Sequence, residues 1–252
     1  MVQSLSRGIQ LIEAIARSNH GLTLTELANK VGLANSTTHR LLKTIELEGL
    51  IYQDLANERW LVSGKLFHLG SAFARTRDLL EIATPVMKHL MLRMGETVNI
   101  CVMDDSVLEA VLVGQVQCLE IMRMVSPIGS KLPIHASAAG KILLSNYRDE
   151  ELKGVFGEKY TLEKYTSNTL QTVPELIDEI RKVKNLQYAM DNEEQFLSLR
   201  CVASAVYDEN HQIIAAISVS GPLIRMNDEK TNLAIHSVKE AANEISKRYT
   251  KI

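Results

Sequence analysis

Residues 23 to 49 constrain the chain most, because two short amphipathic segments there meet at a glycine, too close together to pack as one continuous helix. The first segment starts Thr23-Leu-Thr-Glu26 and places Leu27, Ala28 and Val31 on one stripe. Its Thr23 hydroxyl can accept a backbone N–H near Glu26 while the Glu26 side chain reaches back, which is a capping box. Gly32 follows the last apolar turn, where the absence of a Cβ permits the left-handed conformation that ends a helix. In the second segment Thr38, Leu41, Leu42 and Ile45 recur at i, i+3, i+4 and i+7, so one side is buried and the other free, and Gly49 closes it. The free side carries Ser36, Thr37, His39, Arg40 and Lys43. Short hydroxyls near a helix N-terminus, with cations a turn later, suit a helix in the major groove between two phosphate backbones. The layout predicts a helix-turn-helix DNA reader, in which Arg40 and Lys43 meet groove or phosphate and Thr37 and His39 meet base edges.

The flanks fit a winged version. Leu5, Ile9, Ile12 and Ala16 mark a preceding amphipathic helix, and Leu50–Gln53 and Arg59–Val62 flank an Asp54-to-Glu58 tip like a hairpin, with Asn57 and Arg59 on the wing. Any small three-helix subdomain shows similar spacing, and charge does not separate the two readings. Residues 1–64 hold six cations (Arg7, Arg17, Lys30, Arg40, Lys43, Arg59) and six acids (Glu13, Glu26, Glu46, Glu48, Asp54, Glu58). One copy is therefore a weak phosphate clamp, and a dimer offering two helices to two half-sites supplies the missing affinity through avidity.

At 252 residues, with 46% hydrophobic and 23% charged residues, the chain is long enough for two globular domains and is not disordered. A formal net charge of −2 gives no polybasic tail, and neither a signal peptide nor an apolar run approaching the roughly 20 residues of a membrane span is visible, so the cytoplasm is the expected compartment. Cys101, Cys118 and Cys201 are odd in number and lack paired metal-ligand spacing, which argues against disulfides and structural zinc; no metal or cofactor is expected.

After the wing, residues 65–78 read as a linker helix through Leu66, Leu69 and Phe73, with Gly70, Ser71, Ala72 and Ala74 between them. A second helix is expected to start near Thr84-Pro85, with Pro at the first helical position, and to stop at Gly95. The period then changes. Val98, Ile100 and Val102 alternate with Asn99, Cys101 and Met103, a turn follows at Asp104-Asp105-Ser106, and Val107–Val113 returns as a strand. Another strand is expected over 119–125, then a helix opened by His135-to-Lys141 and ending near Ser145. Residues 146–171, with Tyr160 and Tyr165, show little periodicity; a helix over 173–183, strands near 187–191, 199–207 and 213–220, and a last helix capped by Asn227 follow. Strands segregated from helices predict an α+β fold with helices packed on an antiparallel sheet. The expected division is 1–64 for the reader, 65–78 for the linker helix and 79–252 for the second domain.

Polar chemistry in that second domain concentrates on two strands. Period two puts Cys201 and Ala203 on one face of the first, and Ser218 and Ser220 on one face of the second. A two-residue turn at Asn210-His211 sets Cys201 opposite Ser220, whereas a four-residue loop sets it opposite Ser218. Asp191 sits just before a polar loop within reach of the same face, and backbone N–H groups at the helix start near Ala138 to Gly140 suit a carboxylate. The competing interpretation makes these small strand residues, core filler and a turn cap.

Five stretches in order tilt that choice: Thr-Leu-Thr-Glu-Leu-Ala with Ser-Thr-Thr-His-Arg-Leu-Leu, Leu132-Pro-Ile-His-Ala-Ser-Ala-Ala-Gly-Lys, Tyr188-Ala-Met-Asp-Asn-Glu-Glu, Leu199-Arg-Cys-Val-Ala and Ile217-Ser-Val-Ser-Gly-Pro. Over nearly its whole length the chain resembles the IclR family of bacterial transcriptional regulators. The resemblance implies an N-terminal winged helix-turn-helix, a linker helix and a C-terminal GAF-like effector domain, assembled as a homodimer or dimer of dimers on palindromic double-stranded operator DNA. It further implies that Asp191, Cys201, Ser218 and Ser220, with Ala138 and the backbone near Gly140, line an effector pocket walled by Met122, Met124 and Leu132. The implied effector is a small organic acid, and the implied activity is repression of a catabolic operon. Three positions depart from the family pattern: Ala34 stands where a capping Ser is common, which would shift the cap to Asn35; Ala138 replaces a Gly and would narrow the anion site; and Thr38 replaces a valine, burying a hydroxyl that needs an acceptor. The competing class is a thiol-dependent enzyme or redox sensor built on Cys201, yet no spacing ties His135 or His211 to that thiol.

Overall fold

The structure is a computed structural model that describes residues 2–70, 75–157 and 161–250. It divides into two compact units, Met1–Arg75 and Thr76–Ile252. The first contains α1 (Gln3–Ala16), α2 (Leu24–Val31), α3 (Asn35–Leu47), the hairpin β1 (Ile51–Asp54) and β2 (Arg59–Val62), and α4 (Gly64–Gly70). Its core is Leu11, Ile15, Leu27, Leu42, Ile45, Ile51 and Trp60. The α1 stripe differs from the expected one: Gly8, Leu11 and Ile15 are buried, whereas Leu5 and Ile9 are exposed. Leu11 completes the same helical period on the next row, and Gly8 allows close approach, its position lying 3.7 Å from the Ile45 side chain once a Cβ is added. Of the stretch 65–78 expected as a linker helix, residues 65–70 lie in α4, 71–74 lie outside the described residues, and 75–78 open the next helix.

The second unit begins one residue inside α5 (Arg75–Met94), which continues through Pro85. The start expected near Thr84-Pro85 is therefore wrong. Leu79, Ala83, Val86, Met87, Leu90 and Met94 are all buried in one core cluster, and this continuous stripe outweighs the roughly 3 kcal/mol that an interior proline costs. The Thr84 hydroxyl donates to Leu80 O at 2.6 Å beside the proline.

After α5 come β3 (Thr97–Asp104), β4 (Glu109–Val116), β5 (Lys131–Leu132), α6 (Ala138–Leu144), α7 (Asp149–Phe156), α8 (Val173–Leu186), β6 (Ala189–Asn192), β7 (Leu199–Tyr207), β8 (Ile213–Pro222) and α9 (Asp228–Tyr249). The six strands form one antiparallel sheet in the order β5-β4-β3-β8-β7-β6. On one face Val98, Ile100, Val202, Ile217 and Val219 pack with α5 and with Ala234, Val238, Ala242 and Ile245 of α9. On the other, Cys101, Leu112, Ala203 and Ala216 pack with Ala138, Ala139, Ile142 and Leu143 of α6. This is the α+β architecture the segregated pattern predicts.

One local expectation fails, and one stretch that shows little periodicity holds a helix, each for a physical reason. No strand forms over 119–125; Leu119 and Ile121 are 89% and 99% exposed, and the outer edge of β4 is taken instead by 129–132, where Leu112 N donates to Ser130 O and Ala110 pairs with Leu132. In the aperiodic stretch 146–171 the structure has α7, whose single buried residue is Leu152. One buried position makes no stripe, so hydropathy could not reveal the helix. Its signal is polar: Glu151 accepts from the Arg148 backbone N–H at 2.7 Å at the helix start. In α9 the Asn227 cap is present, accepting from Lys230 N at 2.9 Å, and Ala234, Val238, Ala242 and Ile245 form the buried side.

Candidate functional site: a reading helix and a polar cavity

The Thr23–Glu26 capping box forms as expected, with Glu26 Oε2 accepting from Thr23 N at 2.8 Å, and Gly32 adopts φ 67° to end α2. In α3, Thr38, Leu42 and Ile45 are buried, and Ser36, Thr37, His39, Arg40 and Lys43 are exposed. The cap does not move to Asn35. Ala34 is the cap residue and offers no side-chain bond, so the helix begins with Asn35 already in its first turn. Thr38 Oγ1 finds its acceptor in Ala34 O at 3.1 Å, which answers the buried-hydroxyl problem locally.

The cations and the wing residues differ in freedom. Lys43 Nζ is 2.8 Å from Glu46 Oε2 and 5.2 Å from the centre of the Trp60 ring, so α3 and β2 hold it in place. Arg59 Nη1 donates to Gly21 O at 2.9 Å, tying the wing to the start of α2, and Asn57 Nδ2 donates to Asp54 Oδ2 at 2.6 Å inside the tip.

In the second unit, strand register assembles one polar row. Asp191 of β6 lies opposite Cys201 of β7, Cys201 opposite Ser220 of β8, and Ser218 opposite Asn99 of β3. This is the register expected of a two-residue Asn210-His211 turn, but the connection is longer. A loop from Asp208 to Gln212 closes with Asp208 N donating to Gln212 O at 3.0 Å, and a bulge at Val206/Tyr207 restores the alignment.

These side chains surround a cavity of about 40 Å³ whose wall includes Asn99, Asp191, Gln195, Cys201, Ser218 and Ser220, with Met124, Leu132, Leu199 and the helix start Ser137-Ala138-Ala139. Most of the residues named for the pocket therefore meet. Two do not. Met122 is 68% exposed and lines a neighbouring open groove of about 720 Å³ with Phe196 and Ile224. Gly140 lies behind the wall: its N–H donates to Ser137 Oγ at 3.1 Å, and an added Cβ would meet Ile134 O at 2.3 Å. At the start of α6 it is Ala138 and Ala139 that line the cavity, and their backbone N–H groups have no intrahelical acceptor by position.

Sequence reasoning missed Asn99, Gln195 and the buried cation behind the cavity. Asn99 Nδ2 donates to Ser220 Oγ at 3.1 Å, and Gln115 Nε2 donates to Asn99 Oδ1 at 2.8 Å. The available clue was an amide inside an otherwise apolar strand. Lys141 is 1% exposed, and its Nζ bonds Glu194 Oε1 at 2.6 Å, pinning the loop after β6. Asp191 supports that loop as well: its Oδ1 accepts from Glu194 N at 2.7 Å, while its Oδ2 is buried without a partner. Burial pushes the Asp191 carboxyl up to about 7, and burial likewise raises Glu194. Desolvation also pushes the Cys201 thiol upward, with the Asp191 charge adding to it. An activated thiol shifts the other way, so the site offers no thiolate nucleophile.

Residues 4–55 match the family model described as the IclR helix-turn-helix domain, and residues 71–247 match that of the bacterial transcriptional regulator IclR C-terminal domain. The chain belongs to the IclR family. It is 44% identical over 248 residues to the acetate operon repressor of Salmonella typhimurium, covering 98% of this chain and 90% of that protein. The transcriptional repressor IclR of Escherichia coli is 42% identical over the same shares, and the E. coli repressor AllR is 37% identical over 244 residues, 97% of this chain and 89% of that protein. Among solved structures, the Thermotoga maritima IclR superposes with a TM-score of 0.80 at 27% identity, covering 99% of this chain and 100% of that one. As an IclR-family regulator the chain is a DNA-binding transcription factor, with its reader in the first unit and its effector-binding domain in the second, and it is not an enzyme. Among the described residues no helix is long and apolar enough to cross a membrane.

Proposed function

We propose that this IclR-family chain is a repressor of a catabolic operon that binds palindromic operator DNA as a homodimer or dimer of dimers and responds to a small carboxylate. The observation that carries the reading is the outer face of α3, where Ser36, Thr37, His39 and Arg40 project from a helix whose opposite face is sealed into the core. Thr37 and His39 contact base edges, and Arg40 contacts groove or phosphate. Lys43 lends charge from its seat over Trp60, and Asn57 and Arg59 shape the wing before they touch DNA. Relatives named as repressors at 37–44% identity support the direction of control.

The effector reading rests on the cavity. The Ala138 and Ala139 amides, the Ser218 and Ser220 hydroxyls and the Asn99 amide form a compact polar end, and Met124 and Leu132 form the apolar one. Its small volume limits the ligand to a few heavy atoms. Footprinting on DNA flanking the gene, with and without short-chain carboxylates, tests both halves. A protected inverted repeat that a carboxylate alters is the expected result, and a purified dimer that protects no flanking DNA overturns the operator reading.

A further inference from the structure

Asp191 stands at odds with an anionic ligand. The residue is 1% exposed, its Oδ2 has no partner, and it borders the same small cavity as the helix start and hydroxyls that suit a carboxylate. No Lys, Arg or His lines that cavity, so nothing in its wall neutralises two carboxylates at once. Two like charges a few ångströms apart in a desolvated space cannot both stay ionised; one of them takes a proton.

We propose that the cavity binds a compact monocarboxylate together with one proton, which Asp191 Oδ2 and the ligand's carboxylate share in a single hydrogen bond. The proposal rests on the carboxylate effector reading and adds to it the protonation state and the charge class of the ligand. Binding then takes one proton from solvent and leaves one negative charge on the pair, so dicarboxylates, which bring a second charge, are excluded.

The groups facing Asp191 make it the seat of that proton. Glu194 from the following loop and Lys141 from α6 neutralise each other through their 2.6 Å bond, leaving Lys141 no free charge for a ligand. Glu179 of α8 opposes the Glu194 charge, more weakly than Lys141 supports it. Cys201 from β7 faces Asp191 as a neutral thiol, and β8 contributes only the hydroxyls of Ser218 and Ser220. Asp191 is anchored by Oδ1 to the amides of Glu194 and Gln195, so Oδ2, which has no partner, is the oxygen left for a ligand whichever way the proton sits. Burial already brings its titration to about 7, so the coupling operates around neutral pH.

Calorimetric titration of the full chain with acetate, glycolate and pyruvate, with oxalate as the dianion, decides the matter. Titrations run from about pH 6 to about pH 8.5 in two buffers of different ionisation enthalpy. The expected result is uptake of about one proton per ligand above neutrality and a Kd that rises about tenfold per pH unit there, with no oxalate binding. Asp191→Asn keeps the Oδ1 anchor and supplies a permanent donor. It should bind the monocarboxylates with no pH dependence and about thirtyfold more tightly than the unchanged protein at about pH 8.5. Monocarboxylate binding without proton uptake, or an Asp191→Asn protein with the original pH slope, overturns the proposal while leaving the carboxylate effector in place. Failure of every carboxylate to bind either protein removes the effector reading itself and this proposal with it.

Discussion

The outer face of α3 and the inner row on β6, β7 and β8 both carry the polar residues that define this protein, in opposite surroundings. Ser36, Thr37, His39 and Arg40 stand in solvent on a helix whose stability comes from Leu42 and Ile45 behind them. Asp191, Ser218 and Ser220 sit at 1–4% exposure, and their environment is other polar groups: Asn99, the Glu194 amide, and behind them the Lys141–Glu194 pair. A solvated polar face is cheap to maintain and free to change partners. A buried one must satisfy nearly every donor and acceptor, and the atoms it leaves unsatisfied, Asp191 Oδ2 and Glu194 Oε2, mark where something else belongs.

Substitutions that hit both regions should sharpen the contrast. The largest effect is expected at Lys141. Lys141→Ala leaves Glu194 buried without its cation and should cost the second unit about 3–5 kcal/mol, read by urea unfolding. A Lys141→Met, Glu194→Leu pair should lose much less than Lys141→Ala alone; equal losses would mean that the ion pair itself, rather than the stranded Glu194 charge or lost packing, carries the stability.

Next comes the pH dependence of folding set by Asp191. Its carboxyl titrates at about 7 in the folded chain against an ordinary value of 3.8, so the native state holds a proton that the unfolded chain has released between those values. Stability therefore declines as pH rises from about 4 to about 7, by at most ~1.4 kcal/mol per unit, and flattens above. Asp191→Asn should remove that component, and identical pH profiles for the two proteins would place the titration elsewhere.

On the solvated side the pattern reverses. Arg40→Ala should leave unfolding within about 0.5 kcal/mol of the parent while weakening operator binding by about 1–3 kcal/mol in a mobility-shift titration. Unchanged DNA affinity would remove Arg40 from the interface. The smallest effect is expected for Thr23→Ala, which breaks the capping box of α2 and should cost about 1 kcal/mol in thermal unfolding.

Legibility in the sequence follows the same division. The reader was visible because each of its signals is local: a cap and its partner lie three residues apart, a glycine ends the helix at its own φ, and a stripe repeats within thirteen residues of α3. The sheet was partly visible because β7 and β8 are neighbours in the chain, so period two sufficed to put Cys201 beside a serine. Where burial and hydropathy part company the pattern misled. Residues 119–125 look like a strand and lie open, while α5 continues through Pro85 because a distant sheet buries its whole stripe. Met122 and Gly140 failed for that reason too: one is displaced when β5 takes the edge of β4, and the other has its amide claimed by Ser137.

The sequence by itself determined that α2 and α3 form with a polar face outward, that the second domain is an antiparallel sheet with helices upon it, and that Asp191, Cys201, Ser218 and Ser220 share a region. Those properties arise from interactions spanning a few residues. Only the tertiary structure decided that Asn99 joins them, that Lys141 is spent on Glu194, and that Asp191 is left with one buried oxygen lacking a partner. Residues 99, 141 and 191 come from three separate elements. Their charge states depend on how far each is removed from water, which is set only when the sheet and α6 close around them.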